Sequence, residues 1–493
     1  MIKMISKTKK ISILIIAGFV FPLLVNLHFN FSVEQNFIEN INCSALEAPI
    51  LIDGIATGVD AHNWTWAEEQ LWCSGSGTDI DPYIIQDLTI NGFGLEDGIE
   101  ILNSNVSFII QDCLIYNSTT GIYLDKVNNS RLINNTCSNI NWGISLEYSN
   151  NNTISGNTAN GNNYEGIYLT VCNYNYITGN IANNNDDTGI HLQTECVNNT
   201  LSGNTANDNG DSGIDIEEDC SNNTISGNKA NDNDDTGIYI KEDCSNNNIS
   251  GNTANHNTQF GIYLDFDCDY NTITNNIFHN NTLGIRIDSS NCDSNSIYQN
   301  FFLENGKHAE DDGTDNTWNS TSIGNYWDNW TSPDVSPNDG IVDLQYNISG
   351  SAGSKDYLPI AEDGAPVIVI NSPASSDVFG VTAPSFDVTI TDVYVDSMWY
   401  TIDGGINNYT FIENGVINQT AWAALNEGDV TITFYAKDII GNEASESVTV
   451  VKMISAAVLE PGIIITIVVV SVAGGVATVA VIYLYLKKRK SPK

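Results

Sequence analysis

The sequence predicts an all-β chain: a parallel β-helix, then an immunoglobulin-like β-sandwich, then a single transmembrane helix. Three observations predict it. A Gly-Ile step recurs at Gly98, Gly121, Gly143, Gly166, Gly189, Gly213, Gly237, Gly261 and Gly284, at intervals of 22 to 24 residues. After residue 361 the repeat gives way to short strands broken by Gly, Asn and Asp. Near the C-terminus an apolar run, IIITIVVVSVAGGVATVAVIYLYL (463–486), is followed at once by KKRK.

A fixed period of this length marks a solenoid. Within a unit, Ile238 and Ile240 alternate with Tyr239 and Lys241, the period of two of a half-buried strand. A second apolar point follows at Leu132, Ile154, Ile177, Leu201, Ile225, Ile249, Ile273 and Ile297, with Asn filling the bends between. Such units cannot bury a core alone; coiled and stacked about 4.8 Å apart they share parallel ladders and one interior. A column of Asn135, Asn157, Asn180, Asn204, Asn228, Asn252, Asn276 and Asn300 then places inward amides at one corner, each bonding to the coils above and below.

At the N-terminus, Lys3, Lys7, Lys9 and Lys10 precede the apolar run 11–25, which reads as a signal peptide or signal anchor over residues 1–30. The C-terminal run reads as a membrane helix over 462–486 with a cytoplasmic tail, 487–493. Nine of the 18 Lys and Arg lie in these two ends, against 60 Asp and Glu in a chain of net charge −42. The exported part is therefore strongly acidic, and nucleic acid is excluded as a partner. Sequons such as Asn63, Asn105, Asn117, Asn151, Asn198 and Asn222 agree with export and glycosylation.

Residues 49–82, with the aromatic stretch HNWTWAEEQLWC, read as an N-terminal cap over an otherwise open strand edge; 83–310 carry the repeats and 311–361 the C-terminal cap. The stretch GSGTDIDPYIIQDLTI (75–90), the Gly-Ile rungs, GNYWDNW (324–330) and DGIVDLQYNISG (339–350) together resemble the NosD-like family of surface and periplasmic proteins over about 49–361. The resemblance implies a right-handed β-helix.

Cys172, Cys196, Cys220, Cys244, Cys268 and Cys292 are spaced 24 apart, and Cys113 and Cys137 form an earlier pair at that spacing. In-register side chains point the same way and hold their Cβ atoms too far apart for bridging, so a reduced buried column is expected. A disulfide between Cys43 and Cys73 suits an oxidising compartment.

Two acidic rows are the sharpest chemical signal: Glu195, Asp219, Asp243 and Asp267, each beside a column cysteine, and Asp187, Asp211 and Asp235, two residues before the glycine. Like charges one rung apart repel, and a divalent cation would turn that repulsion into a clamp, so these seven are candidate metal ligands. The sequence requires no cofactor; Ca²⁺ is the ion the rows would suit, and a solvated acidic surface is the plainer reading.

The outward positions of the Gly-Ile strand form a third surface. Tyr168, His191, Tyr239, Tyr263 and Arg286 are candidate carbohydrate contacts, offering flat rings and polar tips. In β-helix polysaccharide lyases and hydrolases, which this fold resembles, catalytic carboxylates and a basic residue lie on such a face. Asp215, Glu217, Lys241 and Asp265 are the compact set here with both kinds, and would be the catalytic residues of an enzyme. An ordinary solvated strand face is the competing reading. Copper chemistry is disfavoured, because the six His are scattered and no Met falls in the coil.

Residues 365–452 read as an immunoglobulin-like spacer, with Trp399 and Trp422 in its core. The whole then reads as a single-pass cell-membrane protein, its bulk extracellular and its C-terminus cytoplasmic. Its expected role is non-catalytic display, adhesion or glycan contact, with the membrane and a carbohydrate or another surface protein as partners. The alternative is a Ca²⁺-dependent carbohydrate-active enzyme of the polysaccharide lyase or glycoside hydrolase type; a copper-accessory role comes last.

Overall fold

Alternation around each Gly-Ile step builds the strands: in Thr236–Lys241, Ile238 and Ile240 are fully buried while Tyr239 and Lys241 remain half-buried. In the computed structural model, which describes residues 45–335, 339–361, 364–392, 395–438 and 441–454, eleven such strands pair in parallel into one front sheet. It runs from Ile50–Asp53 through Ile190–Gln193, Ile214–Glu217 and Thr236–Lys241 to Lys307–Asp311. A second eleven-stranded sheet carries the Leu132 to Ile297 positions and is parallel except where Cys73–Ser74 meets Tyr83–Gln86. The third side is thinner, with single bridges from Thr158 to Ile277 joining two short sheets. This is a right-handed parallel β-helix with one continuous apolar interior.

The Gly-Ile glycines are there for space. A Cβ at Gly213 would come within 2.8 Å of the Ala206 carbonyl oxygen and of the Ala230 methyl group.

Asn ladders hold three corners, where the sequence shows one. In the expected column, Asn204 donates its backbone N–H to Asn228 Oδ1 at 2.9 Å and its amide to Ile177 O at 2.8 Å, and the pattern repeats rung after rung. Asn152 to Asn316 and Asn162 to Asn305 form the other two. The six evenly spaced cysteines form a ladder of the same kind: Cys172, Cys196 and Cys220 each donate their N–H to the next sulfur, at 3.2–3.3 Å. All are buried free thiols. Cys113 and Cys137 do not belong to it. Cys113 heads the Asn135 column and Cys137 stands level with Ala159, because the rungs there are 22 residues long and a 24-residue gap crosses columns. Cys43 lies outside the described residues, and Cys73 is a buried thiol pushed up to about 11 by burial and the charge of Glu68.

Both coil ends are closed. The short helix Trp64–Glu68, capped by Asn63 Oδ1, lays Trp64 on Tyr83 with centroids 4.7 Å apart. At the far end Trp327 is sandwiched between Phe302 and Tyr346, and its indole N–H donates to the buried Asp356 at 2.9 Å.

The chain divides at 361/362. In the second unit Val367–Ser372 pairs with Asp387–Thr391, and a five-stranded sheet follows the order Val378–Phe379, Glu443–Lys452, Gly428–Asp438, Val395–Thr401, Tyr409–Thr410. Trp422 is fully buried in its core; Trp399 stacks on Tyr435. The immunoglobulin-like expectation is corrected here: two-stranded and five-stranded sheets, with a parallel edge pair, do not make the expected sandwich of two antiparallel sheets with three or four strands each.

The membrane expectation is also corrected. No helix among the described residues is long and apolar enough to cross a membrane; the two present have five and six residues and serve as local turns. The signal segment 1–30, the run 462–486 and the tail 487–493 lie outside the described residues. A transmembrane helix, a membrane partner and a single-pass cell-membrane location, with an extracellular bulk and cytoplasmic C-terminus, accordingly have no support in the structure.

Candidate functional site

Parallel pairing in register stacks outward side chains into columns. One column reads Glu100, Tyr123, Ser145, Tyr168, His191, Asp215, Tyr239, Tyr263, Arg286 along the front sheet, and the next carries Gln193, Glu217, Lys241 and Asp265. The residue before each glycine adds a third, which includes Asp97, Trp142, Glu165 and Thr188.

Where these columns meet, five titratable groups converge. His191 sits between two carboxylates, with Nδ1 3.5 Å from Glu165 and Nε2 3.2 Å from Glu217. Lys241 Nζ lies 3.4 Å from Asp215 and 3.3 Å from Glu217, and 4.7 Å from the centre of the Tyr239 ring. Asp215 is a short side chain slotted between His191 and Tyr239; its Oδ1 is buried without a hydrogen-bond partner, as is Glu165 Oε2.

Their acidities are driven apart. Burial pushes the Asp215 carboxyl up to about 6, against the pull of His191 and Lys241. The hydrogen bond from His191 holds Glu217 below its ordinary value, over the opposing effect of burial and with help from Lys241. Burial disfavours charge on His191, yet Glu165 and Glu217 raise it to about 10, so the imidazolium persists at neutral pH. For Lys241, burial is likewise outweighed by Asp215 and Glu217, which raise it.

Asp265, paired with Lys241 in register, is buried and raised by that burial. Tyr168 donates its hydroxyl to Gln193 and meets His191 edge-on. Tyr239 and Tyr263 stack 4.7 Å apart at 5°, so their faces cover one another. Arg286 stands one rung beyond Tyr263, tied to Asp288, Glu310 and Asp312.

The acidic rows separate. Glu195, Asp219, Asp243 and Asp267 occupy an exposed corner in the left-handed backbone region, with φ of 52° to 62°. Asp187, Asp211 and Asp235 edge the front sheet, where burial and neighbouring acids raise Asp187 and Asp235. The groups that bring three ligand atoms together are other ones, His191 with Asp215 and Glu217, and Glu217 with Glu218 and Glu242. Of the cluster, Glu165 escaped sequence reasoning; an acid one rung before the hydroxyl run Thr188, Ser212 and Thr236 in the same column was its signal.

Beside the cluster lies a hollow of about 470 Å³ lined by Trp142, Glu147, Glu165, Tyr168 and His191, among others. A second, of about 670 Å³, continues toward the N-terminal cap and shares Asp97 and Thr119 with the first. A non-catalytic display surface, the expected role, is corrected by this geometry. Solvated display residues would stand apart and titrate normally, whereas these are desolvated, mutually bonded and shifted in opposite directions beside a concavity.

Among solved structures, the A-module of the mannuronan C-5 epimerase AlgE6 of Azotobacter vinelandii is similar at 17% identity and a TM-score of 0.38, over 48% of this chain and 71% of that one. The periplasmic alginate epimerase AlgG aligns at 13% and 0.29, over 48% and 73%; pectate lyase Pel9A aligns at 11% and 0.33, over 64% and 79%. Scores this low carry no argument about what the chain does. No curated protein matches the sequence.

The family described as periplasmic copper-binding protein (NosD) matches residues 77–225 and 194–332. Copper does not fit the donors present. Each three-ligand group among the described residues contains at most one imidazole, and the remaining donors are hard carboxylates. His256 and His279 lie 5.1 Å apart but face separate carboxylates, and the thiol ladder is buried and hydrogen-bonded. With matches that together take in more than half of its length, laid along the coil just described, the chain belongs to the NosD family.

Proposed function

We propose that the front face of the coil is the active site of a carbohydrate-active enzyme that cleaves glycosidic bonds with Asp215 and Glu217. The observation that carries this reading is the paired carboxylates: their oxygens come within 4.8 Å of each other, with one acidity raised and the other lowered. Two carboxyl groups pushed apart in this way are what acid and base roles require, and a close spacing suits a nucleophilic rather than a water-separated arrangement.

In this reading Asp215, protonated below about pH 6, passes its proton from Oδ1, which has no partner, to the leaving oxygen. Glu217, ionised and partly exposed, attacks or stabilises the sugar carbon. Lys241 lies against both carboxylates and balances their charge when they are ionised. His191 and Glu165 are positioning residues that fix the charge and direction of Glu217.

Ca²⁺, if bound, belongs at Glu217, Glu218 and Glu242. At His191, Asp215 and Glu217 the Lys241 ammonium already lies against both carboxylates.

The test is a panel of neutral and uronic polysaccharides with Ca²⁺ or chelator, following new reducing ends and unsaturated products together. Reducing ends that vanish in both Asp215→Asn and Glu217→Gln support the reading. Unsaturated product would replace cleavage by water with elimination, and no turnover on any polymer would sink it.

A further inference from the structure

Two hollows that share a wall form one path along the front sheet, and its far end is aromatic. There Trp66 and Trp72 meet edge to face at 5.7 Å, His62 stacks on Trp66 at 4.1 Å, and both indoles remain only partly buried. Trp64, on the same short helix, closes the coil by stacking on Tyr83 and bonding to Ser104, whereas Trp66 and Trp72 pack against the core with one side and line the hollow with the other. Half-exposed indoles in a concavity with nearby carboxylates are what a sugar ring's apolar face and hydroxyls require.

From the aromatic end, marked by Glu100 on the front sheet, to Asp215 the register counts five rungs, about 24 Å at the ordinary strand spacing. That is several sugar residues. The charged groups between are mostly acidic: Glu96, Asp97 and Glu100 in the outer hollow, Glu147 and Glu165 in the inner, set against the His191 imidazolium at the inner end, with no Lys or Arg lining either among the described residues. A polyuronate laid along it would bring carboxylate against carboxylate.

We infer that Trp66, Trp72 and His62 form a distal subsite for an uncharged glycan chain, which runs from the N-terminal cap along the front sheet to the Asp215–Glu217 pair. The inference rests on the glycan reading above and adds to it a length requirement and a charge class.

The experiment is calorimetric titration of the full chain with short and long neutral gluco- and xylo-oligosaccharides and with polyuronate of matched length, alongside turnover. Long neutral chains are expected to bind more tightly than short ones. Trp66→Ala should weaken the long ones about tenfold and leave the short ones unchanged. Glu100→Lys, a surface change that leaves the rings in place, should admit polyuronate if Trp66→Ala fails to fold. Equal affinity for short and long chains, or polyuronate bound more tightly than neutral glycan by the unaltered protein, would overturn the subsite. Length-dependent binding without turnover would sustain the subsite and sink the hydrolytic reading; turnover without length dependence would do the reverse.

Discussion

Lys241 holds its ammonium 3.4 Å from one oxygen of Asp215, whose other oxygen is buried with no partner. The pair is therefore a charge balance rather than a packing contact. Lys241→Met leaves Asp215 to protonate or stay as a buried anion. Because its pKa is raised, the contribution to stability is retained below the unfolded carboxylate's value and lost as pH climbs through about 6. The variant should thus cost about 2 kcal/mol more at alkaline than at acid pH, read from urea midpoints.

His191 gives the opposite end of the pH scale. Folded, it titrates near 10 instead of the ordinary 6.5, so its contribution is complete below about 6.5 and disappears as pH rises through about 10. Stability should decline across that interval by an amount on the order of a few kcal/mol, and His191→Gln should flatten the slope. An unchanged slope would mean that the imidazolium is not held by Glu165 and Glu217.

The Asn ladder makes a sharper claim. Asn204→Ala takes the acceptor from the buried Asn180 N–H and one donor from the Ile177 carbonyl, and should cost about 3 kcal/mol. Asn163→Ala removes an exposed amide bonded only to Asn141 and should cost little. Equal losses in equilibrium unfolding would refute the ladder's role.

The thiols of the cysteine ladder should resist alkylation in the native protein and react together on unfolding. They are fully buried, which denies a reagent access, and burial raises Cys172 to about 12. Mass spectrometry after a brief labelling pulse distinguishes this from stepwise exposure.

Should Ca²⁺ bind at Glu217, Glu218 and Glu242, it will raise the melting temperature in a concentration-dependent way, and Glu242→Gln will remove the effect. A rise that persists in the variant would point to the exposed corner of Asp219 and Asp243 instead.

Much of the coil was legible because a translation-like repeat writes structure directly into spacing. Gly213 recurs where the backbone of a neighbouring bend passes too close for a Cβ, and Asn204 recurs where buried donors need an acceptor. Spacing misled where rungs change length, as at Cys113 and Cys137, since a constant count then lands on different corners. The second unit had no repeat to count, and alternation alone could not say which strands pair. At the site, the outward columns of Asp215 and Glu217 could be read from alternation. Their acidities could not, because those depend on how deeply Asp215 is buried and on the bond that His191 makes to Glu217 from the neighbouring rung.

The ladders carry a consequence for how such a chain changes length. From Asn135 to Asn300 every rung offers and accepts the same bonds at intervals of 22 to 24 residues, so a whole rung could be duplicated or excised and its neighbours would rejoin without a new interface. The exception is the stretch from Glu165 to Lys241, where one cluster borrows a side chain from each successive turn. Unequal recombination is thus free to lengthen the coil beyond this stretch, while within it the same event would scatter the cluster.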